Sequence, residues 1–563
     1  MIEEISGQLE SSTNDLYIYQ LSFRLVTQIL VSSPSCITTV KDKFYQQVLT
    51  LVKSSLFEGS ALETLLSFFA QLVVISEKGF GFDFLLDSLI HNNESKKNKN
   101  FSLIAKCVAT ISINSGKEKC ITTVNSFLST INQVLKEQTK LSQQESSTDN
   151  KETEEQLTVN PEVLISIYAI GEIGKQIDLS EQSTLQQVLF TCFDTPIEEL
   201  RSAASMSLGK VTTGNMDNFI PFILDHIKEN NPKKQYLLLH SLKQVVIGKS
   251  NPEGIKDLKN HFDKIIEILF EQASNEDEPS IVAECLGKLA TLDPSLMIPK
   301  LAESVKQEKK RVCILASLRY LKFVSHEESE QQNEINKNSE LLDQLSPHID
   351  LFLSLLNDKN ALVRGAILQS LNYLVSSVPN LISKHLPKYL EVFYDQTNIK
   401  EDLIRFVDLG PFKHEVDDGL DLRKSAFQCM YTLLENCLEL VSVEKYIQHI
   451  IKGLSDQNEI KLQCHLLIIK LANISGANLL KSLALIVDPL RSEIVKKIDS
   501  SSVSQAKNGA LELKRSALSA VASITKKISD WQTCTKFNEL VQGINMTPTL
   551  KEMYLEIIKE LEN

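Results

Sequence analysis

Glu284-Cys-Leu-Gly-Lys-Leu289 matches, in character and spacing, Met206-Ser-Leu-Gly-Lys-Val211 and Tyr168-Ala-Ile-Gly-Glu-Ile173. In each stretch apolar residues recur three and four positions apart around a small residue, the pattern of a helix packed closely on another helix. Looser versions are Phe69-Ala-Gln-Leu-Val73, Lys106-Cys-Val-Ala-Thr-Ile111 and Ser317-Leu-Arg-Tyr-Leu321. Aligning them gives equivalent positions near Val26, Ala70, Val108, Ile170, Leu208, Leu242, Leu286, Leu318, Leu371, Tyr431, Ile468 and Ala522, and seven of the eleven intervals lie between 32 and 44 residues. Such spacing marks an array of helical units, none able to bury its apolar face alone, stacked neighbour on neighbour.

The interval brackets the helix-pair period of HEAT and armadillo repeats, and composition agrees. Only 19 Gly, 15 Pro and one Trp occur in 563 residues, with 42% hydrophobic and 23% charged residues, which describes a folded chain richer in helix than in sheet. Two helices per repeat are legible where Asn218 to Ile227 is followed by Gln235 to Val246, parted by Glu229-Asn-Asn-Pro232. Small residues such as Ala203, Ala204 and Gly209 allow close helix approach. The reading is an all-α fold, a HEAT-repeat α-solenoid (superhelix) with one β-hairpin insertion.

The long intervals contain insertions. Residues 137–158 are polar and acidic without periodicity and read as a disordered insert, residues 326–340 as a polar loop, and Ser500 to Ala510 as a Ser-rich connection. HEAT-type repeats then occupy 1–136, 159–325, 341–399 and 420–563. Residues 400–419 differ. Asp402 to Leu409 and Phe412 to Val416 are rich in β-branched and aromatic residues and flank Gly410-Pro411, which reads as a hairpin, with Asp421 or a neighbour capping the helix behind it. An isolated two-stranded ribbon is marginal in water. It is either a tab folded against adjacent helices or a protruding wedge that enters a partner.

Charge and motif content narrow the function. With 59 Lys and Arg against 72 Asp and Glu, the net charge of −13 repels phosphate backbones and anionic lipid, so neither nucleic acid nor membrane is the expected partner. Lys96, Lys97 and Lys99 form too small a patch to alter this. Met1-Ile-Glu-Glu-Ile5 lacks the features of a secretory signal, and no apolar run approaches the roughly 20 residues of a membrane span, so an intracellular location, cytoplasmic and nuclear, is expected. Ten Cys without a C-x-x-C pair read as reduced core residues. Cys464-His465 sit in a helical stretch, where adjacent residues point about 100° apart and make a poor nucleophile and base pair. Gly79-Phe-Gly81 lacks the setting of a dinucleotide loop, and no H-E-x-x-H, G-x-S-x-G, P-loop or EF-hand spacing occurs. The expectation is a binding protein, not an enzyme, with no catalytic residues, metal or cofactor. A nuclear transport receptor and a phosphatase scaffold are solenoids of the same general kind.

Leu403-Ile-Arg405, Gly410-Pro-Phe-Lys-His414, Val416-Asp-Asp-Gly-Leu-Asp421, Arg423-Lys424 and Cys429-Met-Tyr-Thr-Leu-Leu434 closely resemble the carboxy-terminal half of the cullin-associated and neddylation-dissociated proteins. Gln235 to Lys243, Val282 to Leu289, Val487-Asp-Pro-Leu-Arg491 and Glu512-Leu-Lys-Arg-Ser-Ala517 resemble the same family in the same order, from about residue 163 to 530. The resemblance implies a HEAT solenoid that binds an unmodified cullin and RING-box complex and competes with adaptor and F-box modules for the cullin amino-terminal domain. It assigns the overlap with the adaptor's site to the hairpin, at Leu403, Arg405, Val407, Leu409, Gly410, Pro411, Phe412, Lys413, His414 and Val416, and further contact to Glu512, Lys514, Arg515 and Ser516 of the last repeats. Phe406 and Glu415 depart in character from the family pattern. Family members are roughly twice as long, so the resemblance leaves open one piece of a split protein, a truncated gene product or a free-standing regulator; for a split piece, a second polypeptide supplying the amino-terminal half is expected to stack on Ile2, Ile5, Tyr17 and Leu21.

Overall fold

The twelve aligned positions all fall in helical segments of the computed structural model, and ten of them, all but Ala70 and Tyr431, are completely buried. The structure describes the whole chain except residues 12–14, 55–56, 76–79, 92–99, 146–159, 230, 250–251, 276–278, 324–331, 410–411, 497–503 and 562–563. It divides into two units, Met1–Ile268 and Leu269–Asn563.

In the first unit the helices Leu16–Ser32, Gly59–Ile75, Phe101–Asn114, Pro161–Gly174, Glu198–Gly214 and Pro232–Gly248 pack each on the next. Helices such as Lys117–Glu145 and Met216–Ile227 form a second layer against them. A sandwiched helix buries residues all round: in Pro161–Gly174 every residue from Val163 to Gly174 except Tyr168 is buried. Helix approach at Gly209 is close enough that a Cβ there would lie 2.4 Å from the Ser241 carbonyl oxygen, so only glycine fits. Across the same seam Ser205 Oγ donates to the Leu237 carbonyl at 2.6 Å and Ser241 Oγ to the Ser205 carbonyl at 2.8 Å. Asn215 and Asn231 cap the helices that follow them, and Pro232 opens its helix at the position where a missing N–H is harmless.

The second unit repeats the plan, with Pro279–Leu292, Arg311–Ser317, Ala361–Ser377, Leu420–Asn436, Asn458–Ile474, Ser504–Lys527 and Pro548–Glu560 stacked in order. The chain is an α-solenoid with, among the described residues, one two-stranded ribbon, β1 (Ile404–Leu409) and β2 (Phe412–Asp417), paired antiparallel.

Five sequence expectations need correction. Helix Lys117–Glu145 continues through residues 137–145, which were expected in the polar insert; the rest of that segment lies outside the described residues. Helix Gln332–Leu345 likewise occupies most of the expected loop 326–340, of which 326–331 are not described, and Ser504–Lys527 begins inside the Ser-rich connection. Glu, Gln, Lys and Leu propagate a helix without an apolar stripe, which the search for periodicity cannot register. The helix after the ribbon is preceded by Gly419, so neither Asp421 nor a neighbour caps it with a side chain. Of the residues expected to await a preceding repeat, Ile2 is buried and Ile5 half-buried within their own unit, whereas Tyr17 and Leu21 are exposed.

Candidate functional site

Pairing within the ribbon runs Ile404↔Asp417, Arg405↔Val416, Phe406↔Glu415, Val407↔His414, Asp408↔Lys413 and Leu409↔Phe412. Because strand residues alternate between faces, Arg405, Val407, His414 and Val416 share one face, and Phe406, Asp408, Lys413 and Glu415 share the other. Four residues that the resemblance assigns to a partner are thus brought together, while Lys413 is on the reverse side. Leu409 and Phe412 form the last backbone pair before the tip, and Gly410 and Pro411 lie outside the described residues. Both faces are solvated: Arg405, Phe406, Asp408, Lys413, His414 and Glu415 are exposed, Val407 and Val416 half-buried. Phe406 is 65% exposed, which does not fit a tab folded against adjacent helices.

The ribbon is held at its foot. The Asp418 N–H donates to the Leu403 carbonyl at 3.0 Å, closing the base, and Arg405 forks onto the exposed Asp418 carboxylate at 2.6 and 3.3 Å. Below it lies a buried cluster. Arg423, on the first turn of Leu420–Asn436, donates from Nη1 and Nη2 to Asp417 at 3.2 and 2.7 Å, and from Nε and Nη2 to Asp456 at 2.7 and 2.9 Å. Asp417 also accepts from the Gly419 N–H at 3.0 Å and Gln457 Nε2 at 3.2 Å. Side-chain exposure is 1% for Arg423, 9% for Asp417 and 4% for Asp456. The Arg423 hydrogen bonds hold the Asp417 carboxyl below the usual carboxylate range. Its contribution to stability is therefore present above the ordinary value near 3.9 and is lost as pH falls through the depressed one.

Arg423 stands at a recurrent place. In three other repeats an arginine at the head of an inner helix donates to main-chain carbonyls six and five residues earlier. Arg201 bonds Thr195 and Pro196, Arg311 bonds Val305 and Lys306, and Arg364 bonds Asp358 and Lys359. Six residues before Arg423 stands the end of β2, and there the bond goes to the Asp417 side chain instead. Arg311 also reaches Asp358 of the following repeat at 2.8 Å, as Arg423 reaches Asp456. Sequence reading missed this cluster, although the six-residue spacing was visible.

The carboxy-terminal residues fare differently. Glu512 is exposed, but Lys514 Nζ donates to the Lys496 carbonyl at 2.8 Å, Arg515 pairs with Glu560, and Ser516 Oγ lies 3.1 Å from His465 Nδ1. Three of the four are thus occupied within the fold. His465 is buried and its pKa pushed down by burial to about 4, while burial raises the neighbouring Cys464 thiol, so these two behave as core groups. Eight of the ten cysteines are buried and all are free. Among the described residues no cluster of His, Cys, Asp and Glu could hold a metal, and no helix is long and apolar enough to cross a membrane.

Fold and site together define a helical-repeat solenoid carrying a solvated ribbon on a buried ionic foot. The family described as TATA-binding protein interacting (TIP20) matches residues 381–545, the segment that contains ribbon and foot. Cullin-associated NEDD8-dissociated protein 1 of Dictyostelium discoideum is 37% identical over 97% of this chain and 42% of its own length. The Arabidopsis thaliana protein of the same name is 34% identical over 98% of the chain and 43% of its own length. A protein of Emericella nidulans named as the C-terminal part of cullin-associated NEDD8-dissociated protein 1 is 26% identical over 82% of the chain and 40% of its own length. The chain is similar to the cullin-associated NEDD8-dissociated proteins along nearly its whole length, and it spans less than half the length of these curated relatives. Among solved structures, importin beta is similar over 99% of this chain and 71% of its own at 9% identity, with a TM-score of 0.47.

Proposed function

We propose that this chain is a cullin-binding regulator of cullin-RING ubiquitin ligases, in cytoplasm and nucleus, that acts as a scaffold and not as an enzyme. The repeats hold the cullin amino-terminal domain of an unmodified cullin and RING-box complex, and the ribbon enters the site of an adaptor and F-box module. Each ligand raises the other's dissociation rate through a short-lived ternary state, so receptors exchange quickly although both affinities are high. The observation that carries this reading is the ribbon itself: solvated on both faces, fixed at its foot, and within the segment the family match covers.

Further repeats, in this or another polypeptide, would stack on helix Leu16–Ser32. That helix buries Tyr19, Phe23, Val26 and Leu30 on one side and exposes Tyr17, Leu21 and Leu25, one turn apart, on the other. Inner helices of such arrays are covered on both sides.

The test is to replace residues 403–416 with a Gly-Ser linker of equal length and measure adaptor release from the preformed cullin complex. Displacement is expected to disappear while binding to the unmodified cullin complex is retained; undiminished displacement by the linker variant overturns the reading.

A further inference from the structure

The ribbon's foot supports a more specific statement about how such a ribbon is aimed. With exposed residues on both faces and its valines only half-covered, this two-stranded ribbon has little packing to set its angle. Among the described residues, the buried charged contact between this ribbon and the stack passes through Asp417. The guanidinium of Arg423 is planar and donates in pairs to two carboxylates, so it fixes their relative orientation as well as their distance. One belongs to the end of β2, the other to the turn that precedes helix Asn458–Ile474. Gln457, next in that turn, adds a bond to the same Asp417 oxygen that receives Arg423 Nη2. In the repeats headed by Arg201, Arg311 and Arg364 the corresponding arginine ties down only its own turn and, for Arg311, the next repeat.

We propose that Asp417, Arg423 and Asp456 form a latch that sets the angle of the ribbon to the helical stack, making Asp417 and Arg423 positioning residues for adaptor displacement. This rests on the competitive reading given above. The latch couples the ribbon to the repeats that follow it, so a cullin seated on those repeats meets the ribbon in one orientation. A ribbon hinged only at its main-chain ends would sweep many orientations, and the fraction poised to enter the adaptor's site would fall.

The experiment uses the full chain with nitroxide labels at Glu415→Cys on β2 and Glu459→Cys on the first turn of Asn458–Ile474, both exposed positions, after the two partly exposed cysteines, Cys36 and Cys534, are changed to serine. Pulsed electron resonance then gives the distribution of distances between ribbon and stack. The unaltered latch is expected to give one narrow distribution. Asp417→Asn, which cuts only the ribbon arm, is expected to broaden it, to slow adaptor release by at least about tenfold, and to leave affinity for the unmodified cullin complex unchanged. Asp417→Glu, which restores the carboxylate, is expected to recover both readouts. Arg423→Lys keeps the buried charge but cannot fork onto two carboxylates, and serves in place of Asp417→Asn should that chain not fold. A distribution that stays narrow in these variants overturns the latch whatever happens to displacement. Broadening with undiminished displacement overturns the positioning role, whereas failure of the competitive reading is registered separately by the linker replacement.

Discussion

The ribbon Ile404–Asp417 and the helix Leu420–Asn436 are neighbours in sequence and treat their apolar residues in opposite ways. The helix buries Leu422, Ala426, Phe427, Met430, Leu433 and Leu434, whereas the ribbon leaves Phe406 65% exposed and Val407 and Val416 only half covered. In the helix, removing an apolar group opens a cavity, so the fold itself dictates residue type. In the ribbon the fold asks for little beyond strand propensity and a turn, which leaves residue type to be set by whatever the ribbon touches. A segment with little to contribute to stability but a buried ionic foot is understandable if its task is to be presented in one place.

The largest expected difference between the two regions is in stability. Phe427 is completely buried, and Phe427→Ala is expected to destabilise the chain by about 3–5 kcal/mol, whereas Phe406→Ala should change stability by no more than about 0.5 kcal/mol. Chemical unfolding followed by circular dichroism reads both. A Phe406→Ala variant as damaged as Phe427→Ala would mean that the ribbon belongs to the core after all, and the contrast would fail.

The helical stack was legible in sequence because each repeat restates the same small and apolar pattern, and all twelve aligned positions landed in helical segments. The ribbon was legible because its β-branched and aromatic runs flank Gly410-Pro411 in an otherwise helical chain. Its foot was not, because the partners of Arg423 join a residue six positions back to one 33 positions ahead, and no local pattern encodes the second. For Ser516 the resemblance implied a partner contact, but its hydroxyl is turned to His465, 51 residues away, a pairing no local pattern encodes. Helix extents failed for a related reason, since Gln-rich and Glu-rich ends carry propensity without periodicity.

That histidine supplies the second prediction, which tests the stack on its own. Burial holds His465 neutral with a pKa near 4, opposed by Glu493 and reinforced by Lys461, themselves paired at 2.6 Å. A histidine whose pKa is lowered on folding contributes fully above its unfolded value near 6.5, and that contribution declines as pH falls toward 4, because only the unfolded chain takes up the proton. Unfolding free energy is therefore expected to drop by about 3 kcal/mol across that interval through this one group. Comparing His465→Leu with the parent chain at each pH isolates it, and the difference between the two should itself depend on pH. Parallel profiles would show that His465 protonates in place and that the stack around it is wetter than its burial implies.

The smallest effect is expected from the other arginine at the ribbon's base, and it sharpens the comparison most. Arg405 and Asp418 make a forked pair much like that of Arg423 and Asp417, with bonds of 2.6 and 3.3 Å, but their side chains are 59% and 47% exposed. Water screens such a pair and side-chain entropy opposes it, so Arg405→Gln should lower stability only slightly, and less in high salt. Melting curves of parent and variant at low and high salt check this directly. Because the buried fork is distinguished by its burial and by the added bonds to Asp456 and from Gln457, near-silence at Arg405 would place the foot's hold in that buried network and not in a fork as such. A clear loss that persists in high salt would instead mean that Arg405 and Asp418 act together with the buried cluster, and the boundary between ribbon and stack would have to be drawn one residue pair further out.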